Sequence, residues 1–444
     1  MKNLRIVIFL IFLSFLATFS VLGLSCRKAQ TAKTVLKVWL VDYKETNFRS
    51  EIQLFSQKQK VDITVEEKNA ANLEKDLLNT LATHQGPDVV MINHDFLIKH
   101  KEIFAPCVKE VKKDKALYCD VKILENNYVP VTQILAWDDK IYGYPYRVST
   151  PIIIYNSKML YDARKELQKN NLSYNHIPVY WDDFVKMARI LTVKDASGNV
   201  TRSGLALGTA SNNPAAQDTL YSLMLQNGTK ISNAQSAEPL ALFNLPIKNE
   251  NGDLIYPGAK ALDFYSSFSY PRSQNYSFND NFDTAWKELA KGNVAMIIDY
   301  PERLDKIRYL NPNLQVAGAL LPQITDTENP TVYGKIYALG ITRDTKDVVM
   351  AWKLAGQIAQ KFDSKYVKKQ TTSSSKDWRK AKGAAEAWTV QVNFAQTIYK
   401  AKFPDEFDQF VKEAIDNVSK GLIYPKESLD QAASNINQLI SESK

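Results

Sequence analysis

Apolar positions in the first quarter of the chain follow two alternating rhythms. Val35, Val38, Leu40 and Val41, with Trp39 among them, form a short run beginning near Thr34 that reads as a strand. Phe48, Ile52 and Phe55 then recur every three to four residues, which predicts a helix with one apolar face. Val61, Ile63 and Val65 alternate with polar residues as a second strand. Leu73, Leu77, Leu78 and Leu81 mark a second helix, Gly86 and Pro87 stop it, and Asp88 to Ile92 read as a buried strand. This βαβαβ order implies a mostly parallel sheet. Ligands of such open sheets sit beyond the carboxyl ends of the strands. Those ends are Asp42 and Tyr43 after the first strand, and Asn93, His94 and Asp95 after the third.

The pattern is interrupted at Tyr142 to Asn156, YGYPYRVSTPIIIYN, and then restarts. Pro145 and Pro151 fix their own φ and bias Tyr144 and Thr150 toward extended backbone, so the stretch brings Tyr144, Tyr146 and Arg147 together on one extended segment. Beyond it, Trp181, Phe184, Val185, Ala188 and Leu191 mark a helix with Asp182 and Asp183 in its first turn, where carboxylates favour the helix dipole. A short strand, a Ser/Asn turn and a helix stopped at Asn227 and Gly228 follow. Phe282, Trp286 and Leu289 line a helix ended by Gly292, and Val294 to Ile298 form a strand ending at Asp299 and Tyr300. A helix to about Leu310, a strand near Val316 and the strand VYGKIYALGIT come next. From Asp347 the chain is mostly helical, with stripes at Val348, Trp352, Ala355, Ala359 and Phe362, at Phe407, Val411, Ala414 and Val418, and at Leu429, Ala433, Ile436 and Ile440. A polar loop between the first two stripes holds Trp378.

The 444 residues, 45% of them hydrophobic, suffice for two or three domains with real cores. Residues 1–25 place Lys2 and Arg5 before an uninterrupted apolar run that ends in small residues just before Cys26, the pattern of a secretion signal followed by a lipidation cysteine. The alternative is an uncleaved single membrane anchor, since Ile6 to Ser25 is almost long enough to span a bilayer. Both place Arg27 onward outside the cytoplasm, and residues 26–33 read as a polar tether. Without Lys2 and Arg5 the formal charge falls from +8 to +6, spread along the chain rather than gathered in a block, so no nucleic-acid footprint is evident. Lys109, Lys112, Lys113 and Lys115 read as a solvated face. In an oxidising compartment Cys107 and Cys119 are a reasonable disulfide pair, closing a short loop for about 3 kcal/mol; two unpaired thiols are the other reading.

Several segments together resemble the family-1 extracellular solute-binding proteins, the maltose-binding-like receptors of ABC importers. They are LKVWLVDY, LLNTLATHQGPDVVMINHD, YGYPYRVSTPIIIYNSKML, WDDFVKMARILTVKDASGNVTRSGLALGT, AWKELAKGNVAMIIDYPERL and EAIDNVSKGLIYPKESLDQAASNINQLI. No one of them is decisive; their order and spacing behind the lipoprotein-like leader carry the resemblance. It implies an α/β, two-lobed periplasmic-binding-protein-like fold of type II, each lobe a mostly parallel sheet flanked by helices, with a helical C-terminus. Three inter-lobe crossings are expected near Arg147–Ile152, Asp299–Pro301 and Tyr337–Ile341. The N-terminal lobe would comprise 34–147 plus 300–337, and the C-terminal lobe 148–299 plus 338–444. The sequence departs from the family at Tyr180, where a Thr usually caps the WDDF helix, so that cap is expected to be weaker.

A sugar receptor needs aromatic faces for C–H surfaces and carboxylates, amides or Arg for hydroxyls. Tyr43, Tyr146, Tyr300 and Trp378 are the stacking candidates. Asp42, Asn93, Asp95, Arg147 and Asp299, then Tyr144 and Lys335, are the hydrogen-bonding ones. The resemblance implies a monomeric receptor with no catalytic residues and no cofactor or metal, whose partners are a small-molecule solute, most plausibly carbohydrate, and a membrane ABC permease. The cleft acids leave a cationic solute such as a polyamine, or a peptide, open. A glycan-hydrolysing or glycan-binding surface lipoprotein is the competing class, but no G-x-S-x-G, Walker loop or H-E-x-x-H is present, and His84, His94, His100 and His176 lack metal-ligand spacing.

Overall fold

The computed structural model describes residues 35–41, 46–107, 119–233, 241–326, 330–362, 367–368, 378–381 and 383–442. The leader, Cys26, the tether, Asp42, Tyr43 and the lysines at 109–115 lie outside the described residues. In chain order the elements that build the lobes begin with β1 (Val35–Val41), α1 (Thr46–Gln59), β2 (Asp62–Lys68), α2 (Leu73–Ala82), β3 (Val89–Asn93), the short helix α3 (His94–Lys99), β4 (Gly143–Ser149) and β5 (Ile152–Asn156). Then come α4 (Trp181–Leu191), α5 (Ala216–Gln226), α6 (Pro257–Ser266), α7 (Ala285–Lys291), β6 (Met296–Asp299), α8 (Arg303–Leu310), β7 (Val316–Ala319) and β8 (Val332–Tyr333). The chain closes with β9 (Lys335–Ile341), α9 (Val348–Phe362), α10 (Gly383–Gln391), β10 (Ala395–Gln396), α11 (Pro404–Ser419) and α12 (Pro425–Glu442).

The first sheet has the order β2-β1-β3-β9-β4. Its β1, β2 and β3 run parallel, as the βαβαβ pattern predicts, while β9 is antiparallel to both β3 and β4. Phe48, Ile52 and Phe55 of α1, Leu73 and Leu77 of α2, and Trp352, Ala355 and Ala359 of α9 are buried in the core around it, with α9 packed beside α1. Cys107 and Cys119 are joined as a disulfide in this lobe, their Cα atoms 5.7 Å apart.

The named strands of the second sheet, β6-β5-β7, are antiparallel throughout, which departs from the mostly parallel arrangement expected for each lobe. A parallel component enters through isolated bridges, Ser203 to Val294 and Ala206 to Ile297. The reason is that β5 is central and buried on both faces. Ile152 and Ile154 enter one core while Ile153 and Tyr155 enter another, and an apolar run buried on both sides carries no signal for the direction of its neighbours. Full burial of each of these isoleucines contributes roughly 1.5–3 kcal/mol.

The expected lobe boundaries need correction. Leu304, Ile307, Leu321, Val332 and Tyr333 pack in the cores of the second lobe, not the first. Ile336 to Ile341, α9, Trp388 and Val392 pack in the core of the first lobe, not the second; α10 meanwhile lays Ala384 on β7 and β5 of the second sheet, and from Ile398 the chain enters the main second core through α11 and α12. The core memberships put the crossings at Thr150–Pro151, at Gly334 rather than at Asp299–Pro301 or within Tyr337–Ile341, and between Ala395 and Ile398. After Asp299 the chain stays in its lobe because α8 and β7 complete that sheet.

The three crossings touch one another. β8 and β10 pair as a parallel ribbon, Val332 with Ala395 and Tyr333 with Gln396, and Gly334 N–H donates to the Gln396 carbonyl at 2.8 Å. A Cβ on Gly334 would lie 2.9 Å from that of Ala395, 3.5 Å from Val148 Cγ1 and 3.6 Å from Thr150 Cγ2, so all three strands close around a residue with no side chain. Gly334→Val is expected to destabilise the chain by about 1–3 kcal/mol through overpacking. Urea unfolding checks this, and an unchanged midpoint would show that the crossings are not tightly packed.

Candidate functional site

The junction of the crossings gathers charged and aromatic side chains from both lobes. Lys335 opens β9 directly after Gly334, and its Nζ lies 2.7 Å from Asp218 Oδ2 on α5 of the other lobe. The Tyr300 hydroxyl donates to the same oxygen at 3.0 Å, and the Lys335 ammonium stands 5.1 Å from the Tyr300 ring centre. Asp218 Oδ1 is buried with no hydrogen-bond partner among the described residues. On β4, Arg147 Nη1 lies 3.3 Å from Glu302 Oε1, and Ser149 Oγ donates to the same carboxylate at 2.9 Å. The Arg147 guanidinium also lies 5.7 Å from the Trp388 ring, whose Nε1–H donates to the Val148 carbonyl at 2.9 Å. Tyr337, half-buried on β9, sits in register with Arg147 and Asn93.

A second group adjoins the first. Lys400, 1% exposed, donates to Asp408, Asp95 and the Tyr333 hydroxyl, and Tyr221 donates to Asp408 at 2.8 Å. Burial alone would neutralise Lys400, yet Asp408 and Asp95 outweigh it and hold the ammonium pKa well above its ordinary value. Burial lifts Asp408 despite Lys400, whereas Asp95 is held below the usual carboxylate range because His94, Lys400 and Lys335 overcome its burial. Lys335 is likewise raised against burial, chiefly by Asp218. Burial, reinforced by Asp218, pushes the Tyr300 phenol well up, so it remains a neutral donor. His94 is fully buried; the Ile336 N–H donates to its Nδ1 at 3.4 Å, which leaves Nε2–H to donate to Thr397 Oγ1 at 2.7 Å.

The sequence candidates divide accordingly. Arg147, Tyr300 and Lys335 meet at the junction. Asp95 enters the Lys400 group. Asn93 spends its Oδ1 as the N-cap of α3, accepting from Phe96 N–H at 2.7 Å. Tyr144 and Tyr146 do not line the cleft: both are buried in the first core, Tyr146 edge-on to Phe48 at 5.8 Å. Asp299 is buried and bonded to Arg303 at 2.7 Å, and burial still lifts its pKa. Trp378 packs with Leu320, Ala387 and Val390 rather than at the junction. As expected, Tyr180 makes no side-chain cap for α4. The reading missed Glu302, Asp218, Lys400, Asp408, Tyr221, Tyr333, Tyr337 and Trp388. Asp218 carried a usable signal, since it stands in a helix buried from Ala216 to Met224; Lys400, in a polar loop, carried none. Among the described residues no cluster of His, Cys, Asp and Glu could hold a metal, and no helix is long and apolar enough to cross a membrane.

Residues 52–362 match the family model of the bacterial extracellular solute-binding proteins. The chain belongs to that family. Among its relatives, the galactooligosaccharide-binding protein of Bacillus subtilis (strain 168) is 24% identical over 422 residues, covering 92% of this chain and 90% of the relative. Solved structures with the same fold include the sugar-binding protein MalE from Xanthomonas citri, with TM-score 0.68 and 16% identity over 92% of this chain and 98% of that one. An ABC substrate-binding protein from Listeria monocytogenes in complex with cycloalternan has TM-score 0.66 and 15% identity, over 92% and 99%. The two-lobed architecture of this solute-binding protein is thus the one its relatives share, and its family is one of extracellular solute receptors.

His94 makes the receptor's stability pH-dependent. Burial, with Lys400 and Lys335, lowers its pKa although Asp95 opposes them. Folding therefore favours the neutral ring, so this contribution is complete above the unfolded histidine pKa of about 6.5. It is lost as the pH falls from there toward the depressed folded value. Unfolding free energies measured between pH 8 and pH 5 should fall less steeply for His94→Gln than for the parent; equal slopes would refute the assignment.

Proposed function

We propose that this protein is the extracytoplasmic receptor of an ABC importer, which binds a sugar or oligosaccharide between its lobes and presents it to a membrane permease. The observation that carries the reading is the meeting, at the crossings, of donors and carboxylates from opposite lobes: Lys335 with Asp218, and Arg147 with Glu302. Tyr300, Tyr337 and Trp388 stand beside them as apolar faces. Planar and charged hydrogen-bonding groups framed by aromatic rings suit a polyhydroxylated solute, and the names of the relatives support the same class.

Arg147, Glu302, Lys335 and Asp218 are assigned to solute hydroxyls, with Asp218 Oδ1, which has no hydrogen-bond partner among the described residues, as an acceptor. Tyr300, Tyr337 and Trp388 are assigned to ring faces. Solute bound to groups on both lobes favours the arrangement in which the lobes approach, so binding and closure about the crossings are one event. Cys26 is assigned as the lipid attachment point, holding a monomeric receptor at the membrane beside its permease.

The buried carboxylates Asp95 and Asp218 and the partly buried Asp408 outnumber the ammonium groups of Lys335 and Lys400, which gives a polyamine the second place among solute classes. Titration calorimetry against galactooligosaccharides, maltotetraose, tagatose and spermidine separates the two. At least one sugar is expected to bind, and Asp218→Asn and Arg147→Met are each expected to weaken it more than tenfold, about 1.4 kcal/mol. Heat from spermidine alone would replace the sugar assignment.

A further inference from the structure

The chain contains two Asn-Gly steps, Asn227–Gly228 and Asn251–Gly252, both in the second lobe. Glycine has no Cβ, so nothing on the following residue hinders its backbone nitrogen from reaching the asparagine side-chain amide. Whether the two groups meet is then decided by what holds the asparagine. Asn227, half-buried at the end of α5, is held at both ends of its amide. Its Nδ2 donates to the Pro257 carbonyl at 2.8 Å, and its Oδ1 accepts from Thr229 N–H at 3.2 Å and from Thr229 Oγ1 at 2.6 Å. Turning Asn227 Cγ toward Gly228 N would break all three bonds.

Asn251 is held differently. It stands at the exposed tip of a hairpin whose short strands, Ile247–Lys248 and Leu254–Ile255, pair antiparallel. Asn249 Oδ1 accepts from both Asn251 N–H at 3.0 Å and Asp253 N–H at 2.8 Å, the local side-chain-to-backbone bonding that suits Asn to turns. The Asn251 side chain itself makes no hydrogen bond among the described residues. Gly252, with φ +85°, has no atom within 4 Å of where a Cβ would stand, and its N–H gives up one exposed bond, to the Asn249 carbonyl at 3.0 Å. We propose that Asn251–Gly252 is a site of spontaneous modification, at which Asn251 becomes aspartate and isoaspartate through a cyclic imide, while the fold protects Asn227.

The Gly252 nitrogen, after losing its proton to a solvent base, bonds to Asn251 Cγ; the Cγ–Nδ2 bond breaks and the amide leaves as ammonia, taking up a proton. Water then opens the imide. Cleavage of its Cγ–N bond gives aspartate, and cleavage at the main-chain carbonyl gives isoaspartate, whose backbone runs through Cβ and Cγ. One water enters and one ammonia leaves, with no oxidation or reduction. The new carboxylate joins Glu250 and Asp253 at the tip. In isoaspartate the backbone is longer between the two N–H groups that Asn249 Oδ1 holds, so that turn loosens. The hairpin leads into Pro257, which Asn227 meets at the opposite end of α5 from Asp218, so the modification is independent of the solute.

Incubating the folded full chain in mildly alkaline buffer made with heavy-oxygen water, followed by peptide mapping and mass spectrometry, tests this. Aspartate and isoaspartate carrying heavy oxygen are expected to accumulate at position 251, with ammonia released in step and Asn227 intact. In urea both steps are expected to react, and Asn251→Gln is expected to lose the product at 251 with an unchanged melting temperature. An intact Asn251 in the folded chain, an Asn227 that keeps pace with it there, or an Asn227 as inert in urea as in the fold overturns the assignment.

Discussion

The close approach of three chain crossings around Gly334 is the constraint on which the rest of the structure depends. Two of the crossings are hydrogen-bonded to each other as a parallel ribbon, and the third packs on them through Val148 and Thr150. Neither lobe can be moved without turning about this one place. α10 ties it further: Gln391 donates to Thr150 Oγ1 and to the Pro151 carbonyl and accepts from Leu321 N–H, joining the first crossing to the end of the second sheet. Arg147 and Lys335, two of the charged groups assigned to the solute, stand within a few residues of this junction, so small rotations there are transmitted to them directly.

Electrostatics at the junction follow from its dryness. Asp95, Asp218 and Lys400 are withdrawn from water and Asp408 and Lys335 partly so, and each stays charged only where an opposite charge compensates the lost hydration. Lys335 and Lys400 are kept protonated by Asp218 and by Asp408 with Asp95, while burial is felt most by Asp408 and the phenols of Tyr300 and Tyr333. The result is a set of donors and acceptors held in place by opposite charges from both lobes. A receptor that must bind and release its solute unchanged has use for such a set.

Much of the architecture was legible from periodicity because the first sheet and the helices bury one face each. Phe48, Ile52 and Phe55, or Leu429, Ala433, Ile436 and Ile440, announce their helix and its inward side, and the structure buries them as read. Strand direction in the second lobe was not legible, because Ile152, Ile153 and Ile154 are buried on both faces of β5. The second and third crossings were misplaced for a related reason: β9 and β6 have the same apolar character whichever lobe owns them. In the site, Arg147, Tyr300 and Lys335 could be picked out because they flank strand ends. Tyr144 and Tyr146 flank one too, yet the pleat and the bulge opposite Tyr337 turn both into the core. Asp218 meets Lys335, and Lys400 meets Asp95, only through contacts more than a hundred residues apart in sequence, which local pattern does not encode.

The cores are assembled from chain segments that are far apart. The second lobe needs 152–333 and then, after a long excursion through the other lobe, the helices α11 and α12, which supply Phe407, Val411, Ile415, Leu429 and Ile436 to its interior. A chain emerging from its N-terminus therefore cannot complete that interior until almost its last residue is available. Loop closure over such separations slows folding, so the second lobe is expected to be the late-forming half and to leave its apolar surface open to a chaperone for longest.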